Sequence, residues 1–389
     1  MGKDRTRGLR FPEYLSGGAF LCDPIRREPF SQRTEPAGEP NPALTLFGRG
    51  LERIALTGLG AGVSGVSYPG GGGRASTVLD LTDGRRIVAT LRDEPARVAL
   101  EHEALVRLRA EGAPCPEPLY FNGAILLQEC LPGERLAEYI RREPENTWPA
   151  MANALDSLAD LHERGSAAGL DAFGPVLGAS VDWLESLFAR PRMVGEYLRV
   201  PAPPCDLERQ FDLLTCYAPR FVKWDARGGN AMRAPDGGIA WFDFEHCGAR
   251  NRLDDLVWLL GDETVPDDEA MEDTLLEVAL DRFADGRGMD EARAYVHCMG
   301  TFHGAVRLGI ILLHKGDEPW GEAGKALAQD KLPVSLAHAV TLARRGARWA
   351  DTAEATRPLA AWWRKVEQAL VRLDRSVPYR GKARRKSMA

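Results

Sequence analysis

Between residues 76 and 92 the chain alternates apolar and polar positions with a period of two, STVLDLT and then RRIVATL around Asp83-Gly84. That pattern predicts a β-hairpin closed by a type I′ turn. The next segment, EPARVALEHEALVRLRAEG, changes to the period of a helix, with Val98, Leu105 and Leu108 on one side. AILLQECLPGERL supplies a short buried strand, Ala124 to Leu127, that runs into a Pro132-Gly133 break. Helical spacing dominates from there. MANALDSLADLHERG puts Leu155, Leu158, Ala159 and His162 at i, i+3, i+4 and i+7, and similar patterns recur near 269–284, 290–314, 332–348 and 358–373. A small β-rich part therefore precedes a large helical part, an α+β arrangement.

The ends differ from this middle. Residues 1–45 carry Pro24, Pro29, Pro36, Pro40 and Pro42 among charged residues and read as an irregular extension. The last ten, RGKARRKSMA, read as a solvated basic tail, residues 380–389. A lobe at 46–130 and a second at 131–379 are expected between them.

Composition narrows the function. A net charge of −6 over 389 residues argues against tracking a phosphate backbone, so nucleic acid is not an expected partner, and a small molecule is. Seven scattered cysteines with no CxxC spacing fit neither a disulfide framework nor a thiolate zinc site. A reducing, cytoplasmic setting is expected, and no apolar run is read as a membrane span or a signal-peptide core.

The stretch Phe221 to Gly248, FVKWDARGGNAMRAPDGGIAWFDFEHCG, concentrates the candidate chemistry. Pro235 to Gly238 make a turn between two β-capable runs, so Asn230 and Asp243 come side by side at the hairpin's open end. An amide oxygen and a carboxylate meeting there suit Mg²⁺, a hard cation that completes its shell with water and phosphate oxygens. Asp225, five residues before Asn230, can fold back beside that metal and accept a proton from an attacking hydroxyl, a phosphoryl-transfer arrangement. Taken singly, each of the three is also an ordinary turn former.

The order KWDARGGN, then FDFE, resembles the aminoglycoside phosphotransferase and choline kinase-like family, relatives of the protein kinases, over roughly residues 60–260. The resemblance implies a protein kinase-like bilobal fold, ATP and Mg²⁺ as cofactors, Asp225 as catalytic base, and Asn230 and Asp243 as metal ligands. It further implies that Gly70, Gly71, Gly72 and Gly73 form the loop over the ATP phosphates, where backbone N–H groups approach the anion. Glu101, with Glu103 as the lesser choice, resembles the helix carboxylate that orients the phosphate-binding cation. LLQECLPGE looks like the linker between lobes, whose backbone at Gln128, Glu129 and Cys130 would pair with adenine.

The sequence departs from the family in two places. No lysine occurs between Lys3 and Lys223, so Arg92, at the end of IVATLR, is the expected phosphate cation. The chain carries 8 lysines against 42 arginines, which fits that exchange. Lys223 stands where the family has a histidine and is expected to meet phosphate or Asp225; Arg227 adds a second cation beside Asp225. The run GDETVPDDEAMED is expected to stabilise a helix start, with attraction of a cationic acceptor as its other reading. Trp320, Trp362 and Trp363 are read first as core and second as an acceptor wall. The function expected is transfer of the γ-phosphoryl group to a hydroxyl of an aminoglycoside-like antibiotic, amino alcohol or sugar. A non-catalytic pseudokinase acting as nucleotide sensor or scaffold is the alternative.

Overall fold

The computed structural model describes residues 42–68, 76–92, 94–322 and 334–375. Most of the expected extension, the four glycines Gly70–Gly73 and the basic tail lie outside the described residues.

Helix α1 (Pro42–Leu59) opens the described chain, starting inside the segment whose prolines read as irregular. Strands β1 (Val63–Ser67), β2 (Ser76–Leu81) and β3 (Arg86–Leu91), helix α2 (Pro95–Ala110), and strands β4 (Pro118–Phe121) and β5 (Ile125–Glu129) follow. The five strands form one antiparallel sheet in the order β1-β2-β3-β5-β4. Alternation gives the sheet two distinct faces. Leu79, Leu81, Ile87, Ala89 and Leu127 point to one, where they form a core with Leu51 and Ala55 of α1. Gly58 lets α1 lie on β4, since a Cβ there would come within 2.5 Å of the Tyr120 ring.

The β2–β3 turn differs from the expected type I′. Gly84 alone takes a positive φ, of 86°, and Asp83 does not. Gly84 N–H donates to the Leu81 carbonyl at 3.1 Å and Leu81 N–H to the Arg85 carbonyl at 2.8 Å. A three-residue loop with a left-handed glycine results, because Asp83 uses its carboxylate to accept from Arg85 N–H and therefore keeps a negative φ.

Past the Pro132-Gly133 break come β6 (Glu134–Arg135), α3 (Leu136–Arg142), α4 (Thr147–Ala167), α5 (Val181–Phe188), α6 (Arg190–Leu198) and α7 (Leu207–Leu214). Short strands β7 (Arg220–Val222), β8 (Ala231–Arg233), β9 (Ile239–Trp241) and β10 (Gly248–Arg250) carry the motif region. They form a β6-β8-β9 sheet and a β10-β7 pair. Helices α8 (Leu253–Leu260), α9 (Glu269–Phe283), α10 (Met289–Lys315), α11 (Leu336–Thr352) and α12 (Arg357–Arg375) complete the second lobe. The fold is thus bilobal and protein kinase-like, a small antiparallel sheet lobe and a mainly helical one.

Among the described residues α10 is long and apolar enough to cross a membrane, which the sequence reading did not flag. Of its most apolar window, 83% is buried inside the protein, as in a core helix. Glycines seat its neighbours: Gly300 of α10 faces the Trp349 ring, where a Cβ would come within 2.0 Å, and Gly346 of α11 faces Trp363. Trp362 and Trp363 are core residues, 2% and 0% exposed, which settles them as packing rather than acceptor wall.

Candidate active site

The β8–β9 hairpin turns at Gly237, with φ of 92°, and sets the Asn230 carbonyl to accept from Phe242 N–H at 3.1 Å. Asn230 and Asp243 therefore flank the open end of one hairpin. The loop before it is folded tightly. Trp224 and Asp225 both take left-handed φ values, 55° and 52°, a conformation that costs an L-residue about 1–2 kcal/mol. Hydrogen bonds offset that cost. Asp255, on α8, accepts from the N–H groups of Lys223 and Trp224 at 2.6 and 2.8 Å, and its Oδ2 also meets His162 Nε2 at 2.8 Å. Asn230 Nδ2 donates to the Asp225 carbonyl at 3.0 Å and to its Oδ2 at 2.8 Å. That leaves Oδ1 as the amide's acceptor toward any cation.

Arg227 Nε donates to Asp225 Oδ1 at 2.5 Å. Burial pushes the Asp225 carboxyl up, but the Arg227 guanidinium, helped by Lys223 and Arg307, outweighs it and brings the group down to about 2. Asp225 is therefore ionised throughout the neutral range.

Arg92 is the hub between the lobes. Its guanidinium reaches Glu101 Oε2 at 3.1 Å, Asp243 Oδ1 at 2.6 Å and Glu245 Oε1 at 3.0 Å. Burial works against its charge, and the carboxylates of Asp243, Glu101 and Glu245 more than compensate. Of the two glutamates weighed on α2, Glu101 is fully buried and accepts from Arg92 and from Phe244 N–H, whereas Glu103 pairs with Arg107 on the surface. Asp243, with φ of 65°, keeps a carboxyl below the usual range despite its burial, through Arg92 and Lys223. Burial and the neighbouring Asp243 raise Glu245 to about 7.

Lys223 is fully buried, its Nζ donating to the Asp243 carbonyl at 3.1 Å and lying over the Phe244 ring. It braces the backbone of the Asp243 turn from inside. Gln128 and Glu129 end β5 and Cys130 follows, at the passage between lobes.

Two groups escaped the sequence reading. Glu245 is quoted in FDFE without a role, and Asp255 is hidden in RLDDLVWLL; a carboxylate inside an otherwise apolar helix was the available signal. The acidic run divides. Asp268 caps α9 by accepting from Met271 N–H at 3.1 Å, as a helix start should. Asp262 and Glu263 are instead buried, Glu263 in a two-point pair with Arg307 at 2.5 and 3.0 Å.

Among the described residues no three His, Cys, Asp or Glu side chains group to hold a metal ion. Asn230 and Asp243 fit Mg²⁺ in the other way, as two oxygen donors to a cation that takes the rest of its shell from phosphate and water.

The APH phosphotransferase enzyme family model matches residues 66–295 of the chain. No curated protein is a significant match. Among solved structures, an aminoglycoside phosphotransferase from Alicyclobacillus acidocaldarius is similar at 13% identity and a TM-score of 0.46, covering 80% of this chain and 93% of its own. A choline/ethanolamine kinase family protein from Mesorhizobium loti has 16% identity and a TM-score of 0.46, with 82% and 99% covered. A macrolide 2'-phosphotransferase from Brachybacterium faecium has 16% identity and a TM-score of 0.45, with 72% and 96% covered.

Proposed function

The chain belongs to the APH phosphotransferase enzyme family, and from that we propose that it transfers the γ-phosphoryl group of ATP, taken as its magnesium complex, to a hydroxyl of a small molecule. The observation that carries this reading is the meeting of Asp225, Asn230 and Asp243 at one hairpin, with the Arg92–Glu101 pair against Asp243.

Asn230 Oδ1 and the Asp243 carboxylate would hold Mg²⁺, which, when bound, neutralises charge on the phosphate oxygens. Arg92 supplies the cation for the phosphates, oriented by Glu101 and Glu245. Asp225 acts by orienting the acceptor hydroxyl: a carboxylate held near 2 accepts a hydrogen bond well and keeps a proton poorly. Arg227 ties that carboxylate down and offers a guanidinium next to the point of attack. Lys223 and Asp255 fix the two loops from below. The acceptor's class ranges over aminoglycoside-like antibiotics, amino alcohols and sugars.

Thermal stability with ATP alone, Mg²⁺ alone and both, in wild type and Asp243→Ala, tests the reading. Ligand at ~100 times its dissociation constant adds about 2.7 kcal/mol. A stabilisation that needs both components and is lost in the variant is the expected result. No shift in the wild type would favour a non-catalytic scaffold instead.

A further inference from the structure

Arg92 divides the two oxygens of Asp243. Its Nη2 donates to Asp243 Oδ1 at 2.6 Å and to Glu101 Oε2 at 3.1 Å, while its Nη1 donates to Glu245 Oε1 at 3.0 Å. Both Nη2 hydrogens are thereby committed. The guanidinium has little room to leave, since its side chain is 11% exposed and the Glu101 carboxylate beside it is fully buried.

The aspartate is fixed as firmly. Its φ is 65°, Lys223 Nζ donates to its carbonyl at 3.1 Å, and the N–H groups on either side of it are anchored, Phe242 to the Asn230 carbonyl and Phe244 to Glu101 Oε1. Oδ1 therefore belongs to Arg92, and Oδ2 is the oxygen this bond leaves open, on a side chain that is 29% exposed. Asn230 is divided likewise, its Nδ2 bound to Asp225 and its Oδ1 left as acceptor. One octahedral cation can take these two oxygens and fill its shell from phosphate and water. Two cations drawing on the same aspartate would call on both its oxygens.

Protein kinases hold two Mg²⁺ with the equivalent aspartate and asparagine, and carry a lysine on their third strand. A lysine ammonium is a point charge without the fork that lets one guanidinium bind several carboxylates at once. We infer that Arg92 limits the cleft of this protein to one divalent cation per bound nucleotide, by keeping Asp243 Oδ1 and by placing a fixed positive charge where a second ion would sit. The inference rests on the phosphotransferase reading and adds the metal count to it.

The test counts Mn²⁺ bound to the full chain in the presence of an equal amount of a non-hydrolysable ATP analogue, with free Mn²⁺ read by electron paramagnetic resonance. Wild type should bind one Mn²⁺ per chain. Arg92→Lys should bind two, because it keeps the charge and gives up Oδ1. Arg97→Gln removes a positive charge 4.0 Å from Glu245 and leaves the Arg92–Asp243 bond in place, so it should stay at one. Two ions in wild type would overturn the inference whether or not the variants fold, as would one ion in an Arg92→Lys chain that melts cooperatively and binds the analogue, or two in Arg97→Gln; each leaves the phosphotransferase reading standing. A wild type that binds no analogue with any Mn²⁺ would overturn that reading itself.

Discussion

Asp225 is held by Arg227 and Asn230 in a left-handed turn, so its carboxylate is fixed in one orientation. Replacing it with alanine should lower kcat by about 10²–10⁴-fold while nucleotide affinity stays within a fewfold, as steady-state kinetics and equilibrium binding would report. Asp255 works at one remove. Asp255→Ala strands the N–H groups of Lys223 and Trp224 and deprives His162 of its partner, and should cost about 3–5 kcal/mol in chemical denaturation. That Asp225, Asn230 and Asp243 come together is legible in the sequence because all three hang on one local hairpin. Asp255 is not legible there because its partners lie 31 to 93 positions away in the chain. Glu245 was missed for a related reason: what gives it a role is an arginine 153 positions earlier.

At the scale of elements, β5 is legible as a short apolar run, and periodicity located α2, α4 and α9, each of which buries one regular face, and α10, which is buried nearly all round. It did not find α1, whose first residues sit among prolines and whose apolar side makes sense only against the sheet it covers. Nor does periodicity say how helices meet. In the helical lobe they meet at glycines, and Gly300 is the tightest, with the Trp349 ring filling the place of its Cβ. Gly300→Ala would gain helix propensity, yet it should destabilise by about 1–3 kcal/mol, because a flat ring in a filled core has nowhere to turn. Thermal unfolding decides, and an unchanged or raised melting temperature would show that α11 can shift.

For the molecule as a whole, buried imidazoles set the acid limit. Burial lowers His297 to about 4 and His303 to about 3, against an ordinary value of 6.5. Their neutral forms are favoured in the fold, so the unfolded chain takes up protons first as pH drops below about 6.5. Stability from these two groups is thus complete above that value and declines as pH falls toward 4. The melting temperature should drop between pH 7 and pH 5, and less so in a His297→Gln variant. Arg92, meanwhile, pairs with carboxylates of both lobes, and among the described residues Lys223, the lysine of the motif loops, is buried beneath Asp243. Guanidinium groups do not acylate under conditions where amines do. Reagents that tag kinases by delivering an acyl group from a nucleotide to a cleft lysine should therefore pass over this protein, and a proteome survey built on such labelling would leave it uncounted even when it is abundant and active.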